Sequence, residues 1–235
     1  MRYAVYFAPA PDTPLWRFGA AVLGYDAETG RDVAQLVPEG FQPAAFHALT
    51  DEPRRYGFHA TLKAPFRLAE GAEEAELVSV LNAFAHRQAS FFLPRLEVSA
   101  VGSRKSDGGF VALTEPEPTP ALLGLERATV MAFEPFRAPL TEREIARRRS
   151  VGLSDRQSAQ LTAFGYPHVF DDFGFHLTLT GRVPGPDLGR AVGALATLFA
   201  QHVPARPTAV DQLVLFRQAP GERFRVMARA FFGIG

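Results

Sequence analysis

The string Gly57-Phe58-His59-Ala60-Thr61-Leu62 returns in the second half of the chain as Gly174-Phe175-His176-Leu177-Thr178-Leu179, changed only at its fourth position. Both copies are rich in strand-forming residues, and strand side chains alternate between faces. In the first copy Gly57, His59, Thr61, Lys63 and Pro65 share one face, while Phe58, Ala60, Leu62, Ala64 and Phe66 share the other. In the second, Gly174, His176, Thr178, Thr180 and Arg182 lie opposite Phe175, Leu177, Leu179 and Val183. Each strand has one apolar face for a core. Its other face carries a histidine, a threonine and a cation at two-residue steps. Polar groups in such a place need partners or a ligand.

The surroundings of the two strings match as well. After the first strand, over 56–66, a helix is expected over 73–88, where Leu77, Val80, Leu81 and Phe84 recur at steps of three and four. Extended runs at 92–101 and 109–114 follow, with GSRKSDGG (102–109) as their turn. After the second strand, over 173–183, a helix is expected over 187–201 on Leu188, Val192, Leu195 and Leu198, then a hairpin of 208–218 and 223–232 turning at APGE. Strand, helix and hairpin thus occur twice, and we read an internal duplication with approximate halves 1–116 and 117–235 inside one domain, 1–235. Such repeats pack as two similar lobes, and equivalent residues meet at the shared cleft, where ligand sites tend to lie. Outside the repeat, YAVYFA (3–8) reads as a strand and 14–24 as a helix. The stretch 38–55 is Pro-rich and irregular, with a short helix at 43–49. Helices are also expected at 118–133, 141–149 and 154–164. Pairing VMAFEP (130–135) with the first strand is rejected, because Leu122, Leu125, Ala128 and Ala132 fit a helical stripe.

Composition narrows the function. The chain has 235 residues, 47% apolar and 21% charged, with a formal net charge of zero. Neutrality argues against a whole-surface footprint for nucleic acid, though not against a local basic cleft. There is no cysteine, so disulfides, thiolate metal sites and cysteine nucleophiles are excluded, which fits a cytoplasmic protein. No apolar run reaches the roughly 20 residues that span a membrane, and no membrane partner is expected. The 21 phenylalanines suggest a large aromatic core.

The repeated polar face suggests acid–base chemistry on a phosphate ester. Unperturbed histidine titrates near ~6.5, so two imidazoles can divide base and acid work near neutral pH. Thr61 and Thr178 can donate to non-bridging oxygens, and Lys63 and Arg182 can offset transition-state charge. Tyr6 alternates away from Tyr3, so only one of them can face the cleft; Tyr166 precedes the second copy in a Gly-Tyr-Pro turn. Both are candidate cleft residues. His168, Asp171 and Asp172 with His176 could in principle hold a metal, but their spacing matches no zinc pattern. No Gly-rich phosphate loop occurs. No cofactor or metal is expected, and the charge-dense run Glu142 to Arg149 reads as a solvated helix face.

The two His-x-Thr-Leu strings resemble the 2H phosphoesterase superfamily, which includes RNA 2′–5′ ligase-like proteins and cyclic nucleotide phosphodiesterases. The chain looks more closely like a bacterial family assigned to phosphonate metabolism, through YAVYFAP (3–9), YGFHATLKAPFRL (56–68), FRAPLTEREIARRR (136–149) and FGYPHVFDDFGFHLTLTG (164–181). The resemblance implies His59 and His176 as the catalytic pair, Thr61 and Thr178 as phosphate-contacting hydroxyls, and no metal. It also implies a bilobal α+β fold whose antiparallel sheets line a central cleft with helices outside. His168 and Gly174 depart from the family pattern, which has an aromatic and an Arg there. The expected activity is a metal-independent phosphodiesterase on a small cyclic or 2′-linked phosphodiester, a phosphoribosyl cyclic phosphate being one candidate. An enzyme of RNA 2′ ends and a non-catalytic phosphate-binding module are the alternatives. Nucleic acid is possible but not favoured, and the oligomeric state is left open.

Overall fold

β1 (Arg2–Phe7) is buried from Tyr3 onward, as its β-branched and aromatic residues require. The structure, a computed structural model, describes residues 1–104, 108–149 and 152–233. α1 (Pro14–Leu23) follows, capped by the Thr13 hydroxyl. A small ribbon of β2 (Tyr25–Asp26) and β3 (Arg31–Asp32) comes next, then α2 (Pro43–Leu49) and α3 (Asp51–Arg54). The last gives form to a stretch whose sequence reads as irregular. β4 (Ala60–Phe66) carries the first string and leads to α4 (Glu74–His86), β5 (Phe91–Leu93), β6 (Glu97–Arg104) and β7 (Gly108–Thr114). The centre of the expected turn between the last two, 105–107, lies outside the described residues. α5 (Pro120–Phe133), α6 (Glu142–Arg149) and α7 (Asp155–Phe164) precede β8 (His176–Thr178). α8 (Gly185–His202), β9 (Thr208–Val210), β10 (Gln212–Gln218) and β11 (Arg225–Phe231) complete the chain.

The fold is α+β, with two main antiparallel sheets ordered β11-β10-β1-β4 and β6-β7-β8. Each sheet joins a string-bearing strand from one half of the sequence to a hairpin from the other. β4 reaches the C-terminal hairpin β10-β11 through β1, and β8 pairs directly with β7 of the N-terminal hairpin. The helices follow the same exchange. α4 packs on β10 and β11, α8 packs on β6 and β7, and α5 covers β4. The sequence halves 1–116 and 117–235 therefore do not each build one lobe. α5 stands where a second copy of β1 would fall, as its helical stripe requires; Leu122, Leu125, Val130 and Phe133 are buried. Most of the phenylalanines are buried, among them Phe7, Phe58, Phe133 and Phe216. No helix among the described residues is long and apolar enough to cross a membrane.

Two expectations about the string-bearing strands need correction. Strict alternation would place Lys63 beside Thr61 at the cleft. The β1–β4 register instead runs Phe7↔Ala60, Tyr6↔Thr61, Val5↔Lys63 and Tyr3↔Phe66, so β4 gains an extra residue at each of two bulges. The first puts Lys63 opposite Val5, on the face turned away from Thr61. There it is 2% exposed and ion-paired with Glu134 beyond the end of α5. The second strand, expected over 173–183, is regular only at His176–Thr178. Beyond it the N–H groups of Leu179 and Thr180 converge on the Val111 carbonyl at 2.9 and 3.2 Å. The Thr180 hydroxyl accepts from Val111 N–H at 2.9 Å and donates to the Gly181 carbonyl.

The two glycines that open the strings differ physically. Gly57 has φ +77°, and a Cβ there would sit 2.7 Å from the Cβ of Ala27. Gly174 is exposed, and a Cβ there would meet nothing within 4 Å. Gly57→Ala should therefore lower the unfolding free energy by about 1–3 kcal/mol, the usual cost of a non-glycine residue held at such a dihedral. Gly174→Ala should stay within about 0.5 kcal/mol of the parent. Urea melts of the two variants check this, and equal losses would contradict the distinction.

Candidate active site

Both histidines are held by their own backbone. His59 Nδ1 lies 2.9 Å from the Gly57 carbonyl, and His176 Nδ1 lies 2.7 Å from the Gly174 carbonyl. A carbonyl only accepts, so each Nδ1 carries the proton and donates it. That fixes one tautomer in both rings and leaves Nε2 as the working nitrogen. The Thr61 hydroxyl is 3.3 Å from His59 Nε2. Aromatic rings limit rotation further. Tyr6 stacks on His59 with centroids 3.7 Å apart and planes 19° from parallel, and Phe110 lies 5.5 Å from the His176 ring.

Both histidines and both threonines, Thr61 and Thr178, line one cleft of about 660 Å³ between the two sheets. This is ample for a small ligand. Burial pushes the pKa of His59 down to about 4, against the hydrogen bond to the Gly57 carbonyl, and charge on His176 lowers it further. Burial lowers His176 as well, with His168 adding to the effect. The cleft is cationic although the chain is neutral. Among the described residues Arg2, Arg147, Arg148 and Arg182 line it, against the single carboxylate of Glu52.

The candidates named from sequence separate cleanly. His59, His176, Thr61, Thr178, Tyr6, Tyr166 and Arg182 all line the cleft, and Lys63 does not. Between the two tyrosines of β1, Tyr3 turns away and donates to Glu74 at 2.7 Å, which leaves Tyr6 for the cleft. His168 also lines it. The carboxylates that could have joined His168 around a metal are committed elsewhere, Asp171 to Arg127 and Asp172 to Arg156. Among the described residues no group of three or more potential ligands is arranged for a metal ion. The run Glu142 to Arg149 is more than a solvated face, since α6 delivers Arg147 and Arg148 to the cleft. The three consecutive arginines were the available signal. Their direction depends on how α6 docks beside Gly165, whose carbonyl accepts from Arg148. Tyr56, just before the first string, and Arg2 were likewise missed.

The profile of the family described as "Protein of unknown function (DUF1045)" matches residues 61–225. Two curated proteins named ribose 1,5-bisphosphate phosphokinase PhnN are similar in sequence. The one from Janthinobacterium sp. (strain Marseille) is 38% identical over 227 residues, covering 95% of this chain and 49% of the relative. The one from Laribacter hongkongensis (strain HLHK9) is 37% identical over 188 residues, covering 80% and 42%. The chain spans about half the length of the curated relatives it matches. Among solved structures, TT0787 of Thermus thermophilus aligns over 98% of this chain and 97% of its own, with 14% identity and a TM-score of 0.48.

The depressed histidines set the sign of a pH effect on stability. In the unfolded chain both rings titrate near ~6.5. As pH falls below that value the unfolded chain takes up protons that the folded chain refuses, so folding weakens. The stability is fully present above about 6.5 and is lost as pH falls toward about 4, the folded value for His59. Denaturant unfolding across this window should show the slope, and His59→Gln should flatten it. A His59 ring that titrates by NMR at its ordinary value would contradict this account.

Proposed function

This chain belongs to the DUF1045 family, and we propose that it is a metal-independent phosphodiesterase of the 2H type, using paired histidines on a small cyclic or 2′-linked phosphodiester. The observation that carries the reading is the matched pair of imidazoles, both Nδ1-anchored to a carbonyl two residues back and both lining one cationic cleft. A water in the cleft loses a proton to one Nε2 as its oxygen bonds to phosphorus. The P–O bond to the leaving oxygen breaks, and that oxygen takes a proton from the other histidine's Nε2–H. The two rings exchange protonation states with solvent before the next turnover. Thr61, Thr178 and Arg182 donate to the non-bridging oxygens, where charge accumulates. Burial favours the neutral, base form of His59, which leaves the acid to His176. The relatives' names favour a phosphorylated ribose as the alcohol portion, hence a phosphoribosyl cyclic phosphate in phosphonate catabolism, in the cytoplasm. Zero net charge disfavours long RNA.

A panel of cyclic phosphodiesters assayed with and without EDTA tests this reading. Activity should survive exhaustive chelation. Its loss on chelation, with recovery on adding a divalent ion, would refute a mechanism of proton transfer and hydrogen bonding alone. His59→Ala and His176→Ala should each lose roughly 10²- to 10⁴-fold in rate, and the double variant far less than the product. Thr61→Val and Thr178→Val should lose less than either histidine variant. The rate should be bell-shaped in pH, with the acid limb absent in the His59 variant. A histidine variant that stays folded and turns over at the parental rate would end the proposal, as would a cleft that binds every diester and cleaves none.

A further inference from the structure

The second histidine is anchored differently from the first. Gly57, whose carbonyl holds His59, is packed: its N–H donates to the Pro53 carbonyl at 3.2 Å, and a Cβ there would strike Ala27. Gly174, whose carbonyl holds His176, is exposed, and a Cβ there would meet nothing within 4 Å. Its place is set by the chain on either side rather than by packing. After it comes β8, and before it comes the short turn Phe170–Asp172. Two backbone bonds close that turn, from Asp172 N–H to the Val169 carbonyl at 3.1 Å and from Phe173 N–H to the Phe170 carbonyl at 3.0 Å. The turn also follows directly on 166–168, which line the cleft. It therefore governs both the anchor of His176 and one wall of the site.

Phe170 opens the turn at φ +56°, and it is the one non-glycine residue with positive φ among the described residues. A bulky side chain enters that region at a cost, so surrounding contacts must hold it there. Glu126, on α5, makes the one that acts on the backbone. Phe170 N–H donates to its two carboxylate oxygens, at 3.3 and 3.2 Å. Arg127, the next residue, places its guanidinium 4.7 Å from the Phe170 ring centroid, and Phe164 meets that ring edge-on at 4.8 Å. Glu126 is 1% exposed and does not line the cleft. A carboxylate in such a place is costly unless it is paired, and the cations near it are engaged elsewhere, Lys63 with Glu134 and Arg127 with Asp171. Burial accordingly pushes its pKa up to about 7, against the pull of the Phe170 N–H. An apolar side chain would fill the same space without that cost, so the carboxylate is explained by the N–H it accepts.

We propose that Glu126 is a positioning residue for the second histidine: by accepting the Phe170 N–H it holds the turn in its left-handed conformation, and the turn places the Gly174 carbonyl that fixes the His176 ring. Its relevance to catalysis rests on the phosphodiesterase reading, to which it adds a residue outside the cleft on which one of the two histidines depends. His59 has no share in this arrangement, because Gly57 is held by its own packing. The two rings therefore serve as test and control within one molecule.

The test reads the tautomer of each ring by NMR of the protein labelled with 15N-histidine, at pH 8, where both imidazoles are neutral and Glu126 is ionised. In the parent both rings should carry the proton on Nδ1. Glu126→Ala should mix the tautomers of His176 and leave His59 as it was. Glu126→Gln keeps an acceptor oxygen and should restore the parental His176 signal. An unchanged His176 in Glu126→Ala, or equal disturbance of both rings, overturns the proposal. Glycine takes the left-handed conformation freely, so Phe170→Gly should make Glu126 dispensable, and Glu126→Ala placed in that background should leave His176 in its parental tautomer. This double variant decides if Glu126→Ala alone does not fold: a parental His176 sustains the proposal, and mixed tautomers overturn it. Failure of the double variant to fold, with Phe170→Gly folded, assigns Glu126 to the core alone and also overturns it. On a cyclic phosphodiester that the parent cleaves, Glu126→Ala should lower kcat roughly 10- to 100-fold, the scale of a small misplacement at a catalytic group, and Glu126→Gln should recover most of the loss. If the parent cleaves no diester the phosphodiesterase reading fails, while the ring signals, which need no substrate, still decide the role of Glu126.

Discussion

The antiparallel pairing of β1 with β10 is the constraint on which the rest depends. It joins Arg2 to Gln218 and Tyr6 to Val214, across nearly the full length of the chain. Both strands are almost wholly buried, so their backbone groups have no recourse to water and must pair with each other. β1 then presents its other edge to β4, which brings the first histidine into the sheet. Without the C-terminal hairpin β1 would be an edge strand and β4 would hang from it alone. The pairing closes a loop of nearly maximal length, the kind of contact that forms late because closure entropy must be offset first.

Exchange of the hairpins has a consequence for the site. Each histidine belongs to a sheet that is completed by a hairpin from the other half of the sequence. β8 is only three residues long and is held by β7, which comes from the other half. The two motifs thus lie in separate sheets, each built from strands of both halves. Within that frame the local devices are economical. A carbonyl two residues back sets each tautomer, an aromatic ring limits each rotation, and a buried surround keeps His59 neutral. A site preorganised in this way spends little on ordering when a substrate arrives.

Charge is distributed with similar asymmetry. The chain as a whole is neutral, yet among the described residues four arginines and one carboxylate line the cleft. Lys63, two residues beyond Thr61, does not contribute, because its ammonium is consumed by Glu134 in the packing of β4 against α5. The cations that do contribute come from places distant in sequence: Arg2 at the start of β1, Arg147 and Arg148 at the end of α6, and Arg182 past β8. Low-dielectric walls strengthen their effect on an anion relative to the same charges on an open surface.

Local pattern was enough for the repeated string, the two histidines and threonines, the helical stripes at 73–88, 118–133 and 187–201, and the strand character of β1 and the final hairpin. These follow from spacing and residue type, which act over a few residues and can be read from the chain. The remainder was decided by packing. The bulges in β4 turned Lys63 away from the cleft, because register answers to the partner strand and not to alternation. Docking of α6 beside Gly165 aimed Arg147 and Arg148 at the site, and the sheet order decided that each lobe borrows its hairpin from the other half. Such outcomes depend on which surfaces meet across distances that no local pattern encodes. A run of arginines therefore looked like a solvated face until its neighbours were in place.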